Sequence, residues 1–293
     1  MGSFQGNVYE AKYKIVSAQL GNSGDTVRNF YDSFQRKVAE TGLSETVDGV
    51  TTSYLARQEN DDATYVFPQA KPNSILSIAA AVGGVYANFI NGEQWRQDWQ
   101  PTEGNNWQVE NNALVHTGNT SDTITYQSTA SFSNYGARLS VHPLGTLQQP
   151  LGIRIGNQLT VTWTQNQGWT LTLNGTSSQV TNKGSIPHEW LLVAANNTVL
   201  FYADGQQIFA QTIENDITGA LELFTADDQV SFSNIVTCKN PKIVITYSDG
   251  AGKEKQTQAL EGKNCLVTET VYDVLSRKAI ATKTAQFDNT LFG

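Results

Sequence analysis

Histidine, cysteine and methionine are scarce in this 293-residue sequence, with 3 His, 2 Cys and 1 Met. Two cysteines cannot build a disulfide framework. Cys238 and Cys265 can pair with each other, but two idle thiols is the simpler reading, and neither has close Cys or His partners at zinc-ligand spacing. His116, His142 and His188 lie in no nucleophile-elbow motif and read as surface or turn histidines. Basic runs are also missing, and the formal net charge is −8. Nucleic acid and anionic membrane surfaces both require clustered Lys and Arg, so both are excluded as partners. The most apolar stretch, Ser74 to Ile90, falls short of the roughly 20 residues a membrane-spanning helix needs and contains the pair Gly83-Gly84. That pair opens no phosphate loop, because no Lys-Ser/Thr follows it. Helical periodicity is nearly absent, and only 16% of residues are charged, whereas solvated helices carry abundant Glu and Lys.

What the chain has instead is alternation. In "LGIRIGNQLTVTW", Ile153 and Ile155 precede a Gly156-Asn157 turn, and Leu159, Val161 and Trp163 follow on one face. Trp169, Leu171 and Leu173 alternate with Thr170 and Thr172. "EWLLVAANNTVLFYADGQQIFAQTI" reads as three strands separated by Asn196-Asn197 and Asp204-Gly205. Leu221 and Leu223 precede an Asp227-Asp228 turn, with Val230, Phe232 and Ile235 beyond it. Short strands at close spacing indicate an antiparallel sandwich or barrel. Trp107, Trp163, Trp169 and Trp190 align with apolar neighbours and are expected in its core.

The flanks differ from this middle and share a motif with each other. "FYDSFQRKVAET" (30–41) and "VYDVLSRKAIAT" (271–282) both contain Tyr-Asp, three residues, Arg-Lys and an apolar strand ending in Thr. A looser third copy holds Tyr247, Asp249, Gly252, Lys253 and Gln256. These stretches resemble the YD repeats of Rhs proteins and of the shell-forming B and C subunits of insecticidal toxin complexes. Gln35 and Ser276 stand where that pattern has Gly, and Lys253 where it has Arg. A motif interrupted by a self-contained region suggests one domain inserted in another, or a module lying between neighbouring repeats. The middle resembles the concanavalin A-like, laminin-G-like jelly roll through "WQPTEGNNWQVENNALVHTG", "NNTVLFYADGQQIF" and "ALELFTADDQVSFSNIVT". The expected fold is therefore all-β, an antiparallel sandwich embedded between YD/Rhs-repeat-type hairpins. Residues 1–7 are expected to be an artificial or disordered start, 8–66 repeat-like strands, 67–94 a linker or packed apolar segment, 95–238 the jelly roll and 239–293 repeat-like strands again.

Fold does not decide function here, because this jelly roll hosts lectins, adhesion modules, glycosidases and spacers. A retaining glycosidase needs two carboxyl groups about 5–5.5 Å apart, and no acid-x-acid-x-x-acid strand supplies them. Glu222 lies on a strand, and Asp227 and Asp228 fall in a turn. The chain is therefore expected to be non-catalytic, with a glycoside hydrolase the outside alternative. Polar loops rich in Asn, Gln, Asp and Thr suit a glycan or a cell-surface protein, in a secreted or cell-surface setting and within a larger repeat protein. The alternative is a purely structural shell fragment. Trp95, Trp99, Asp204, Gln206, Asp227 and Asp228 are the candidates to line a ligand site, with the two tryptophans fitting a seam between domains as well. No cofactor is implied. Calcium stays open, since the jelly roll often binds it through loop oxygens, with Asp122 as the candidate ligand.

Overall fold

Alternation in sequence becomes alternation in burial wherever a strand has one face on a core. In a computed structural model the described residues are 95–102, 106–111, 113–118, 120–182, 184–226, 230–248, 253–261, 264–273, 278–281 and 285–288, together with the strand segments 6–10, 15–20, 26–31, 37–41, 44–47, 50–60, 73–79 and 85–86. The chain divides into two compact units, residues 84–240 and residues 1–83 with 241–293.

The first unit opens with β1 (Gly6–Glu10), β2 (Ile15–Leu20), β3 (Thr26–Tyr31), β4 (Lys37–Thr41), β5 (Ser44–Val47), β6 (Val50–Asn60) and β7 (Asn73–Ala79). The second unit contributes β8 (Val85–Tyr86), a short helix α1 (Trp95–Asp98), β9 (Trp99–Pro101), β10 (Trp107–Glu110), β11 (Ala113–His116) and β12 (Asp122–Tyr126). It continues through β13 (Tyr135–Pro143), β14 (Leu151–Ile155), β15 (Leu159–Thr164), β16 (Gly168–Leu173), β17 (Thr176–Val180) and β18 (Glu189–Ala195). β19 (Thr198–Ala203), β20 (Gln206–Thr212), β21 (Leu221–Thr225) and β22 (Val230–Lys239) complete it. The first unit then resumes with β23 (Lys242–Ser248), β24 (Glu254–Glu261), β25 (Asn264–Tyr272), β26 (Lys278–Ala281) and β27 (Ala285–Asp288).

Unit one is an antiparallel sheet in the order β1-β2-β3-β4-β6-β7-β23-β24-β25-β26, with β5 on β6 and β27 on β25. Three of its hairpins share one register. Tyr31 faces Lys37 and Phe30 faces Ala39. Tyr272 faces Lys278 and Val271 faces Ile280. Ser248 faces Glu254 and Tyr247 faces Gln256. Each has a register shift at that same step, as a β-bulge gives. The backbone thus aligns the two clear sequence copies and also the looser third one. The loop residues Asp32, Gln35, Arg36, Asp249, Gly252, Ser276 and Arg277 lie outside the described residues. Lys253 and Lys255 place their ammonium groups 5.7 and 5.0 Å from the Tyr272 ring centre, a cation–π arrangement.

Unit two is the expected antiparallel sandwich. One sheet runs β10-β11-β22-β13-β18-β19-β20 with β8 on β22, and the other β17-β16-β15-β14-β21-β12-β9. Their inward residues form one core containing Leu114, Ile124, Leu139, Ile153, Val161 and Phe232. The layers meet where Trp169 of one sheet packs edge-on against Trp190 and Phe201 of the other, with centroids 5.0 and 4.7 Å apart. Each fully buried side chain of this size contributes about 1.5–3 kcal/mol of hydrophobic stabilisation. The four expected core tryptophans are all buried. Of the segment expected as a linker or packed apolar stretch, Asn73–Ala79 is a strand of unit one and Val85–Tyr86 a strand of unit two.

The turns follow from residues that tolerate positive φ. Asp204 (φ 46°) and Gly205 (φ 75°) close β19 onto β20 in the type I′ pattern, and Asn196 and Asn197 (φ 53° and 61°) do the same for β18 and β19. β17 is polar from Thr176 to Gln179, ends in an exposed Val180 and is largely exposed, so alternation of apolar residues could not announce it. Its Ser178 accepts a hydrogen bond from Gln211 Nε2 of β20 at 2.9 Å, which ties the adjoining edges of the two sheets.

Candidate functional site

The residues singled out from sequence do not converge. Trp95 and Trp99 are 8% and 1% exposed and belong to the sandwich core, so neither offers an open platform to a ligand. Trp99 stacks on Tyr126, its cross-strand partner, with ring centres 4.5 Å apart and planes 5° from parallel. The guanidinium of Arg96 covers Trp95 at 4.6 Å. Arg, Gln and Asp around the two tryptophans leave both an exposed ligand platform and a seam between domains open in sequence. The strand pairing and the short helix turn both rings inward, away from the exposed reading.

Asp204 works as a clasp. Its Oδ1 accepts the Glu189 N–H at 2.7 Å, while its own N–H donates to the Glu189 carbonyl at 2.8 Å. Gln206 is exposed at the start of β20. Asp227 and Asp228 lie outside the described residues. Asp122 is buried at the start of β12 opposite Thr225, and its Oδ1 accepts the Thr123 N–H at 2.7 Å. Among the described residues no group of three His, Cys, Asp or Glu side chains could hold a metal ion. His116 corrects the expectation of a surface histidine. It is fully buried and sits edge-on to Trp107 with centroids 4.9 Å apart. His142 is half-buried and His188 exposed, with centroids 5.5 Å apart. Cys238 and Cys265 are free thiols; burial pushes the Cys238 thiol up to about 12.

The two sheets of the sandwich treat their outward faces differently. In β18 and β19 the outward Leu191, Val193, Leu200 and Tyr202 are as buried as the inward residues between them. The other sheet keeps its outward side chains half-exposed, and exposed on its edge strand β17, with only Gly152 buried among those that follow. Strand register arranges them in two rows running across the strands. One row is Thr125–Glu222–Arg154–Thr160–Thr172–Ser177. The next is Thr123–Phe224–Gly152–Thr162–Thr170–Gln179. At about 4.8 Å between strands, each row is about 24 Å long, and the rows lie about 7 Å apart.

A compact constellation marks the middle of these rows. Arg154 Nη1 donates to Glu222 Oε2 at 3.2 Å, with the side chains 37% and 24% exposed. The Arg154 guanidinium also sits 5.1 Å from the Phe224 ring centre. Phe224 is half-exposed although its strand neighbours Leu223 and Thr225 are buried. Room for its ring comes from Gly152, where a Cβ would lie 2.6 Å from Phe224 Cζ. Hydroxyls continue the rows beyond it. Thr172 and Ser177 share a hydrogen bond of 2.8 Å, and Gln179 Nε2 donates to Thr170 Oγ1 at 3.4 Å. Alternation in sequence identifies Thr170 and Thr172 as the polar half of a strand and places Glu222 on a strand, but says nothing of their partners. The constellation joins residues about 70 positions apart through strand order, which alternation within one strand does not reveal.

No protein-family model matches the sequence, and none of the curated proteins matches it. Among solved structures the chain is similar to the carbohydrate-binding module CBM66 from Bacillus subtilis, at 13% identity and TM-score 0.38, covering 48% of this chain and 96% of that one. It is also similar to the carbohydrate recognition domain of Emp46p in its metal-free form, at 14% identity and TM-score 0.39, covering 54% and 96%. A further similar structure is the apo Crh5 transglycosylase, at 15% identity and TM-score 0.38, covering 59% and 92%.

Proposed function

We propose that the sandwich is a non-catalytic glycan-recognition module, carried by the hairpin sheet of a larger repeat protein in a secreted or cell-surface setting. The observation that supports this most is the outward face of the seven-stranded sheet. It presents an ion pair, an aromatic ring and an ordered set of hydroxyls together. Sugar hydroxyls are bound by paired donors and acceptors, which Arg154, Glu222 and the threonines supply. Their apolar C–H faces suit a half-exposed ring such as Phe224. Against catalysis stands the surrounding of Glu222. Its cross-strand neighbours are Thr125 and Arg154 rather than a second carboxylate, so the acid pair that glycoside hydrolysis requires is not built there.

A scaffold role is the second reading, favoured by the shared register of the three hairpins in the first unit. Repeated units of identical pairing are what an array stacking on itself needs. A glycan array probed with the whole chain, with and without calcium, decides between the two. Binding that drops at least about tenfold in Arg154→Ala is the expected result. Silence across the array under both conditions would leave the scaffold reading alone.

A further inference from the structure

The ligand class follows from how the outward face is charged and spaced. Its two rows contain one cation and one anion, Arg154 and Glu222, and these neutralise each other. The chain as a whole carries −8, so this face presents neither the excess positive charge that a polyanion requires nor surroundings that would favour one. Polar groups recur on strand after strand at the spacing of the sheet, about 4.8 Å. A single sugar would touch only one or two of these strands. A chain of repeating hydroxyl-bearing units lying across them would meet the same chemistry at each step. The ring of Phe224 and the guanidinium of Arg154 mark the middle of that path.

We propose that this face binds an uncharged, extended polysaccharide laid across the strands, with Phe224 and the Arg154–Glu222 pair as its central anchor and the Thr160, Thr162 and Thr170 hydroxyls continuing the contact toward β17. The proposal rests on the glycan reading and narrows it to ligand class and mode. Contacts spread along two rows are individually weak and accumulate with the number of strands crossed. Affinity therefore depends on chain length, and it is lost when charge is placed on the sugar.

Calorimetric titration of the whole chain with cello-, laminari-, manno- and malto-oligosaccharides, from monosaccharide to hexasaccharide, tests this, with oligogalacturonate as the charged comparison. The expected result is an affinity rising at least about tenfold from disaccharide to hexasaccharide for one neutral series, and no measurable binding of oligogalacturonate. Phe224→Ala should lower hexasaccharide affinity at least about tenfold. The double change Thr162→Val and Thr170→Val keeps β-branched shape and should flatten the length dependence, whereas Gln206→Ala should leave it intact. A monosaccharide bound as tightly as its hexasaccharide would overturn the extended mode while leaving glycan recognition standing. Equal binding of oligogalacturonate would overturn the neutral class. No binding of any sugar would remove the glycan reading itself.

Discussion

Phe224 lies against its sheet because position 152 has no side chain to hold it off. Gly152→Ala would put a methyl group into contact with both that ring and the Val161 carbonyl. Overpacking of this kind costs about 1–3 kcal/mol, so urea denaturation should show a loss in that range. Asp204 answers a different test. Its clasp on Glu189 and its positive φ make Asp204→Ala destabilising by about 1–3 kcal/mol, with glycan affinity unchanged. An altered affinity at native stability would return Asp204 to the binding site. Burial also sets a pH limit. Cys238 and Tyr135 are raised from 9.0 and 10.0, each to about 12, chiefly by burial. Below the lower of these values both groups hold their protons in the folded and the unfolded chain. As pH rises from about 9 to about 12 only the unfolded chain releases them, so stability falls across that window. A thiol reagent at about pH 8 should correspondingly reach the half-buried Cys265 and spare Cys238 until the protein unfolds. Equal rates for both thiols would contradict this.

At the scale of strands and hairpins, alternation carried most of the information. Leu159, Val161 and Trp163, and likewise Trp169 and Leu171, face inward as their spacing requires, and the Asp204-Gly205 and Asn196-Asn197 turns fall where two residues able to adopt positive φ stand together. β17 escaped because Thr176 to Gln179 contain no apolar residue, and an edge strand facing water needs none. The burial of Trp95 and Trp99 in the core was not legible, because polar neighbours in sequence say little about a residue whose burial comes from α1 and from the β9–β12 pairing. The Arg154–Glu222–Phe224 constellation was illegible for a related reason. Nothing in "LGIRI" or "LELFT" alone states that β14 and β21 are neighbours. Shared register of the three hairpins makes an element-level prediction. Replacing residues 249–253 by the sequence of residues 32–36 should leave β23 and β24 paired, and the melting temperature should fall by no more than the few degrees that about 1 kcal/mol represents. Loss of the cooperative transition would show that the hairpins are alike only in outline.

The chain as a whole is one unit interrupted by another. β7 and β23 pair antiparallel, with Ala79 opposite Lys242, and directly paired Cα atoms lie about 4.5–5.5 Å apart. The whole of unit two thus occupies the connection of what would otherwise be a hairpin. Its own ends are also neighbours, since Val85 pairs with Thr237 and Tyr86 with Val236. Adjacent ends at both sides of a junction are what domain insertion needs. Residues 84–240 expressed alone should accordingly fold with a β-rich circular dichroism spectrum and a cooperative melt. Aggregation of that fragment, with the whole chain well behaved, would show that the sandwich depends on its carrier. The most direct test of the central claim is NMR titration of the whole chain with the tightest-binding neutral hexasaccharide. Shifts should concentrate on the amides of Thr123, Thr125, Gly152, Arg154, Thr162 and Phe224. Shifts gathered instead around Asp204 and Gln206, with the outward face of the seven-stranded sheet unmoved, would contradict the account.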